Sequence, residues 1–228
     1  MNERLNPRFF AGRYYHLKKL KACNVYVIEK YIKGKVTSVL DFGCGKCPYK
    51  PIFEPHLEKY VGADIELNEY AQLLIDIETG RVATPPNQFD VILSTQVLEH
   101  VTDPPSYLKE ANRLLKEDGL LVLSTHGYWI YHPDPTDYWR WTRDGLEKII
   151  KKEGFEIVET LGIMNRMASG LQLFQDGLIN KLPFGFRQTW SGIFAVLQMI
   201  FDNGKLTNRD ACVFMVVARK KTYPNDNV

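Results

Sequence analysis

The spacing of apolar residues changes period along the chain. Residues 14–32 (YYHLKKLKACNVYVIEKYI) carry apolar side chains at helical spacing, which predicts an amphipathic N-terminal helix. Seven short apolar runs of strand length follow, at 36–42, 60–65, 73–77, 90–95, 119–125, 155–161 and 211–219. Four of them are nearly continuous in apolar residues rather than alternating, the pattern of strands covered on both faces in a parallel sheet. Between several runs lie helical patterns. Residues 104–119 start with proline, carry a stripe at Tyr107, Leu108, Ala111, Leu114 and Leu115, and stop at glycine. Residues 142–154 open on the N-cap candidate Thr142 and also end in glycine. This alternation predicts an α/β fold: a doubly wound, mostly parallel seven-stranded sheet within one domain spanning 1–228.

The rhythm breaks over 162–210, which reads as a helical insertion between the last two strands. Its longest uncharged run, Gln188–Phe201, falls short of the ~20 residues that span a bilayer. The run is apolar on all sides, so cover is expected for it. Besides extra core, its candidate homes are a lid over a substrate pocket, a subunit interface, giving monomer or homodimer, and a peripheral membrane contact. The lid is favoured among the three, because the insertion and the 126–141 loop both reach the same end of the sheet. Lys181, Arg187 and Lys205 flank the run without forming a basic face.

Composition changes this picture little. Of 228 residues, 45% are hydrophobic and 25% charged, and the net charge is +2. These values suit a globular domain and call for no nucleic-acid partner. The four cysteines, at 23, 44, 47 and 212, are too sparse for a disulfide framework. The N-terminus lacks an apolar signal region, so a cytoplasmic location is expected. Cys44-x-x-Cys47 has no second pair or His-x-His partner, and two glycines straddle Cys44. The pair therefore reads as turn-filling residues, and no metal is expected there.

The candidate chemistry sits at the predicted carboxyl ends of strands, where doubly wound sheets bind ligands. The first strand ends in Asp41, followed by Gly43 and Gly45, which lack the Cβ that would keep a ligand off the backbone. Pro48 stands where a dinucleotide fingerprint needs its third glycine, which counts against a nicotinamide cofactor. Asp64 ends the second strand, placed for ribose hydroxyls, and Asp76 the third, placed for an adenine amino group. Ser94, Thr95 and Gln96 end the fourth, towards the same crevice.

This series resembles the class I S-adenosylmethionine-dependent methyltransferases. VLDFGCG is similar to their acid-x-Gly-x-Gly motif, and YVGADI, FDVILSTQVLEHV and LLKEDGLLVLST are similar to the motifs that follow it. The resemblance covers roughly 36–161, with the last strand at 211–219. It implies S-adenosylmethionine as cofactor. Gly43 and Gly45 would line its methionyl part and Asp41 would reach its amino group, directly or through water. Asp64 would hold the ribose, and Asp76 with Ile77 would flank the adenine. The departure from the family pattern is Cys47, where a third glycine is common.

The Gln96-x-x-Glu99-His100 segment is similar to one that binds divalent ions in some methyltransferases. A neutral amide replaces its first carboxylate, however, so Glu99 and His100 are expected to be structural. Residues 124–145 (STHGYWIYHPDPTDYWRWTRDG) concentrate aromatic and polar groups after the fifth strand. His126, then His132, are the candidate general bases, since histidine has a suitable intrinsic pKa. Tyr131, Asp137, Tyr138 and Arg140 are the candidate substrate-binding residues. The expected reaction is methyl transfer to a hydroxyl of a sugar-like or other small metabolite. A non-catalytic nucleotide-binding domain and a nicotinamide oxidoreductase are the alternatives.

Overall fold

A computed structural model describes residues 2–35 and 37–221. Val36, at the start of the first predicted strand, lies outside them. Seven strands form one sheet: β1 (Ser38–Phe42), β2 (Lys59–Asp64), β3 (Leu73–Leu74), β4 (Phe89–Thr95), β5 (Leu115–His126), β6 (Phe155–Ile163) and β7 (Val213–Lys220). Their spatial order is β3-β2-β1-β4-β5-β7-β6. Every neighbouring pair is parallel except those made by β7, which runs antiparallel to β5 and β6. The order reverses between β1 and β4, so the crevice of this fold opens above their carboxyl ends.

The near-continuous apolar runs have the expected cause. Val39 packs in a cluster with Leu20, Val27 and Ile28 on one face of the sheet. Its neighbour Leu40 packs on the other face with Leu108 and Ala111. The first cluster is supplied by α1 (Tyr14–Val27), extended by a wider turn over Ile28–Ile32. The second is supplied by α3 (Pro104–Leu114) and α4 (Arg143–Lys152). Asp103 caps α3 by accepting from the Ser106 amide, and Thr142 caps α4 by accepting from that of Gly145. A short helix, α2 (Lys50–Phe53), follows the glycine loop.

Three boundaries differ from the sequence pattern. The 73–77 run shrinks to the two residues of β3, because Asp76 folds back to accept from the Glu78 and Thr79 amides and the Thr79 hydroxyl. The helix predicted over 104–119 stops at Leu114. Leu115 pairs with Phe89, and the Lys116 ammonium sits 3.0 Å from Asp90, which claims these residues for the sheet. β6 runs on to Ile163, so the insertion starts later than 162.

The insertion is helical, with α5 (Arg166–Ile179) and α6 (Phe184–Phe201) packed together and against α1. Polar groups fix it in place. The Gln198 amide donates to Gln172 (3.1 Å), Gln172 and Gln175 donate to the Gly12 carbonyl, and Asp202 accepts from Tyr15 and pairs with Lys19. Phe194 is buried and Trp190 and Leu197 half-buried, whereas Ile193, Ile200 and Phe201 are exposed. The full cover expected for this helix is therefore absent on its outer side. No helix of the described residues is long and apolar enough to cross a membrane.

Candidate active site

The loop after β1 is shaped by three left-handed residues. Gly43 has φ 80°, and a Cβ there would lie 2.6 Å from Val97. Gly45 has φ 51°, with nothing within 4 Å of where its Cβ would stand, so the backbone is open to a ligand. Cys47, at φ 46°, adopts the conformation a third glycine would take, and the loop keeps its path despite the substitution. Cys44 and Cys47 are free, buried thiols packed with Ala71.

Asp41 is buried at the base of this loop. The Tyr60 hydroxyl donates to its Oδ2 at 2.6 Å, while Oδ1 has no partner. Burial raises its carboxyl from 3.8 to about 7, against the lowering influence of Tyr60 and Cys47. Asp64, at the end of β2, accepts from the Gly45 amide (2.6 Å) and the Ile65 amide (2.7 Å), tying the loop to β2. Asp76 and Ile77 stand exposed beyond β3. Gln96 donates through Nε2 to the Ser124 hydroxyl at 3.3 Å. Ser94 is fully buried, and its hydroxyl lies 2.8 Å from that of Tyr107, which donates to the Phe42 carbonyl. The Ser94 side chain thus steadies the end of β1 from beneath rather than facing the crevice.

A second cluster lies beside it, at the end of β5. His126 is buried, its ring parallel to that of Trp129 at 4.8 Å, its Nε2 3.2 Å from Glu99 Oε1 and its Nδ1 without a partner. Glu99 is wholly buried and its other oxygen accepts from Thr125 at 2.8 Å. His132 meets both His126 and His100 edge-on, at 4.8 and 4.9 Å. His16 of α1 packs against Trp129 at 4.4 Å and lies 6.1 Å from His126. Burial first, and then the neighbouring His16 and His132, hold the His126 imidazole well below its usual range. Burial and Arg13 take His16 down to about 3. Burial also lowers His132, against the opposing pull of Asp137, and raises Glu99.

The polar residues of the 126–141 loop divide into two kinds. Asp137 and Arg140 pair through both guanidinium nitrogens and both carboxylate oxygens, and Arg140 also donates to the Trp129 and Ile130 carbonyls. Burial pushes the Asp137 carboxyl up, but Arg140 and the His132 amide outweigh it and hold the carboxyl at about 2. Those two side chains brace the loop. Tyr131 and Tyr138 point outward and remain exposed. Sequence reasoning missed Tyr60, His16, Trp129 and the depth of Glu99. Only a polar residue on the apolar face of the first helix, His16, signalled any of them.

Among the described residues, Glu99, His100 and His132 bring donor atoms within 4.8 Å of one another. The His100 Nδ1 lies 2.7 Å from the Thr136 carbonyl, which leaves its Nε2 as the free acceptor. Elemental analysis of the purified protein tests the expectation of no metal. The Cys44→Ala/Cys47→Ala double variant is expected to stay folded with unchanged metal content. Stoichiometric zinc lost in that variant overturns the turn-filling role of the cysteines, and metal lost in His132→Ala instead places an ion at Glu99.

An open glycine loop above an unpartnered carboxyl oxygen, with an acid at the end of the next strand, defines a nucleoside-binding α/β enzyme class. Residues 18–160 match the family model described as a methyltransferase domain. The chain belongs to this family, the S-adenosylmethionine-dependent methyltransferases of class I, and the nicotinamide alternative falls away. The chain is 29% identical over 185 residues to the ubiquinone biosynthesis O-methyltransferase of a Ruegeria species, covering 67% of this chain and 75% of that one. It is 32% identical over 135 residues to a tRNA U34 carboxymethyltransferase of Campylobacter lari, covering 54% and 45%. Other relatives are matched over little more than half of their length, 55% and 56% in two cases. Among solved structures, the [4+2]-cyclase SpnF superposes with a TM-score of 0.61 at 18% identity, covering 93% of this chain and 85% of that one, a likeness of fold.

Proposed function

We propose that this protein transfers a methyl group from S-adenosylmethionine to a hydroxyl of a small acceptor, sugar-like or another metabolite. The observation that carries the reading is the unpartnered Asp41 Oδ1 at the base of a glycine loop that is open at Gly45. A buried carboxyl oxygen without a partner is costly, and a cationic amino group answers it. Asp64 faces the same loop for the ribose, and Asp76 with Ile77 stands further out for the adenine. When bound, the sulfonium supplies an electrophilic methyl group, so the chain's task is to align the acceptor and take its proton. Tyr131 and Tyr138 stay exposed at the mouth of the site, where they can meet an incoming acceptor, while the Asp137–Arg140 brace holds their loop. His126, with Glu99 3.2 Å from its Nε2, is the first candidate base and the more accessible His132 the second. The reaction as proposed needs no metal.

The O-methyltransferase name of the Ruegeria relative favours a hydroxyl acceptor, and the tRNA relative supplies the competing class. Incubation with methyl-labelled cofactor and a panel of sugars, phenols and unmodified tRNA tests the reading. Label in a small hydroxylated compound is expected. Label in tRNA alone contradicts the small-molecule acceptor while leaving methyl transfer in place.

A further inference from the structure

The outer stripe of α6 is unexplained by the site. Phe186, Ile193, Val196 and Ile200 recur three, four and seven residues apart, so they share one face of the helix, and Phe186 and Ile200 are 66% and 67% exposed. The segment before α1 extends this face. Phe10 lies against Gly192, where an added Cβ would meet its ring at 2.8 Å, and Phe9 meets Phe10 edge-on. Phe9 and Phe10 border an open apolar groove of 380 Å³ along α6. Scattered exposed apolar residues need no explanation, but a continuous stripe of this kind marks a docking surface. The lid role expected from sequence would bury these side chains, and they face outward instead.

Charge identifies what they face. Residues 1–28 hold six cations against the single acid Glu3, and residues 177–201 hold Lys181 and Arg187 with no acid. Together they carry +7 in a chain of net +2, which leaves −5 on everything else. Not all of these cations look outward: Lys19 pairs with Asp202 and Arg13 lies over Trp129. Arg8, Lys18, Lys181 and Arg187, however, make no ion pair among the described residues. Arg8 adjoins Phe9, and Lys18 sits over the ring of Tyr14, which contacts Phe9. Lys181 and Arg187 stand at the other end, around Phe186. The N-terminal segment and α1 therefore add Arg8 and Lys18 to the cations that α6 and the turn before it supply. A second copy of this chain would set two such basic faces against each other without acids to neutralise them, which disfavours self-association here. An anionic lipid surface satisfies both the apolar stripe and its cations.

We propose that the protein docks peripherally on anionic membranes through the α6 stripe and Phe9–Phe10, with α6 lying in the plane of the interface. The proposal does not depend on the identity of the methyl acceptor. The test is co-sedimentation with vesicles of pure phosphatidylcholine and with vesicles one-third phosphatidylglycerol. Binding to the anionic vesicles alone, weakening as salt is added, is the expected result. Arg8→Glu/Lys18→Glu should lower the vesicle affinity by about thirtyfold or more, since two interfacial cations are lost and each contributes on the order of 1 kcal/mol. Ile193→Glu/Ile200→Glu, at sites exposed in the free protein, should abolish binding while leaving cofactor affinity and circular dichroism unchanged. Absence of binding to anionic vesicles at low salt overturns the proposal. So does a dimer in analytical ultracentrifugation that the Ile193→Glu/Ile200→Glu variant splits into monomers.

Discussion

His126→Ala is expected to lose turnover by about 10²–10⁴-fold, the range of general acid–base effects, with cofactor affinity changed less than about twofold. The reason lies in the dyad at the end of β5. Glu99, held by Thr125, places Oε1 3.2 Å from Nε2 of His126, within ion-pairing distance but without a hydrogen bond, and Nδ1 of the ring is also left without a partner. Stacking on Trp129 keeps that ring from turning. Because burial lowers the His126 pKa, its base form persists well below the usual histidine midpoint. With cofactor saturating, so that its weaker binding at low pH is masked, the rate should therefore not fall on acidification until pH drops far under 6.5, the ordinary value. Thermal midpoints of wild type and variant separate lost chemistry from lost fold, since removing the imidazole leaves Glu99 buried and alone. Full turnover in His126→Ala with loss in His132→Ala moves the base outward along the loop. Activity retained in both means that alignment alone suffices.

Cofactor affinity is expected to fall by about tenfold per pH unit below about 7, the value to which burial raises Asp41. The sign follows from the charge of each form. Below that pH the free protein holds a proton on Asp41, and that proton must leave before the carboxylate can meet a cationic amino group. The same shift acts on the free protein: a carboxyl raised from 3.8 to about 7 favours folding fully below 3.8, and that contribution is lost as pH rises to about 7. Cofactor should thus protect against heat most strongly above pH 7. Asp41→Asn should bind more weakly at pH 8 and lose most of the pH dependence. A wild-type affinity that stays flat from pH 6 to 8 counts against Asp41 as the partner of the amino group.

The sheet was legible because both of its faces are buried. Runs such as Val91–Leu93 and Leu120–Leu123 are apolar at every position, which neither an amphipathic helix nor a surface strand needs. The glycine loop was legible for a related reason, since its backbone demands left-handed residues. Cys47 shows the limit of that signal, as the conformation is kept while the residue changes. Side-chain direction was not readable. Ser94 and Gln96 are two residues apart, yet one turns down to Tyr107 and the other lies beside Ser124. Asp137 and Arg140 carry charges that suggest a ligand, but they satisfy each other. The histidine cluster joins α1, the turn after β4 and the 126–141 loop, elements spread over more than a hundred residues of sequence that only the tertiary fold brings together. For α6, composition announced an apolar helix, but two of the cations added to its own, Arg8 and Lys18, come from another part of the chain.

Isothermal calorimetry with S-adenosylmethionine, S-adenosylhomocysteine and NAD tests the central claim most directly. Wild-type protein is expected to bind both sulfur nucleosides at one site and to give no heat with NAD. Asp64→Ala should weaken both by ~1–3 kcal/mol, the scale of leaving buried polar groups without partners. Heat with NAD alone, or no binding of either sulfur nucleoside by folded wild-type protein, would contradict the account.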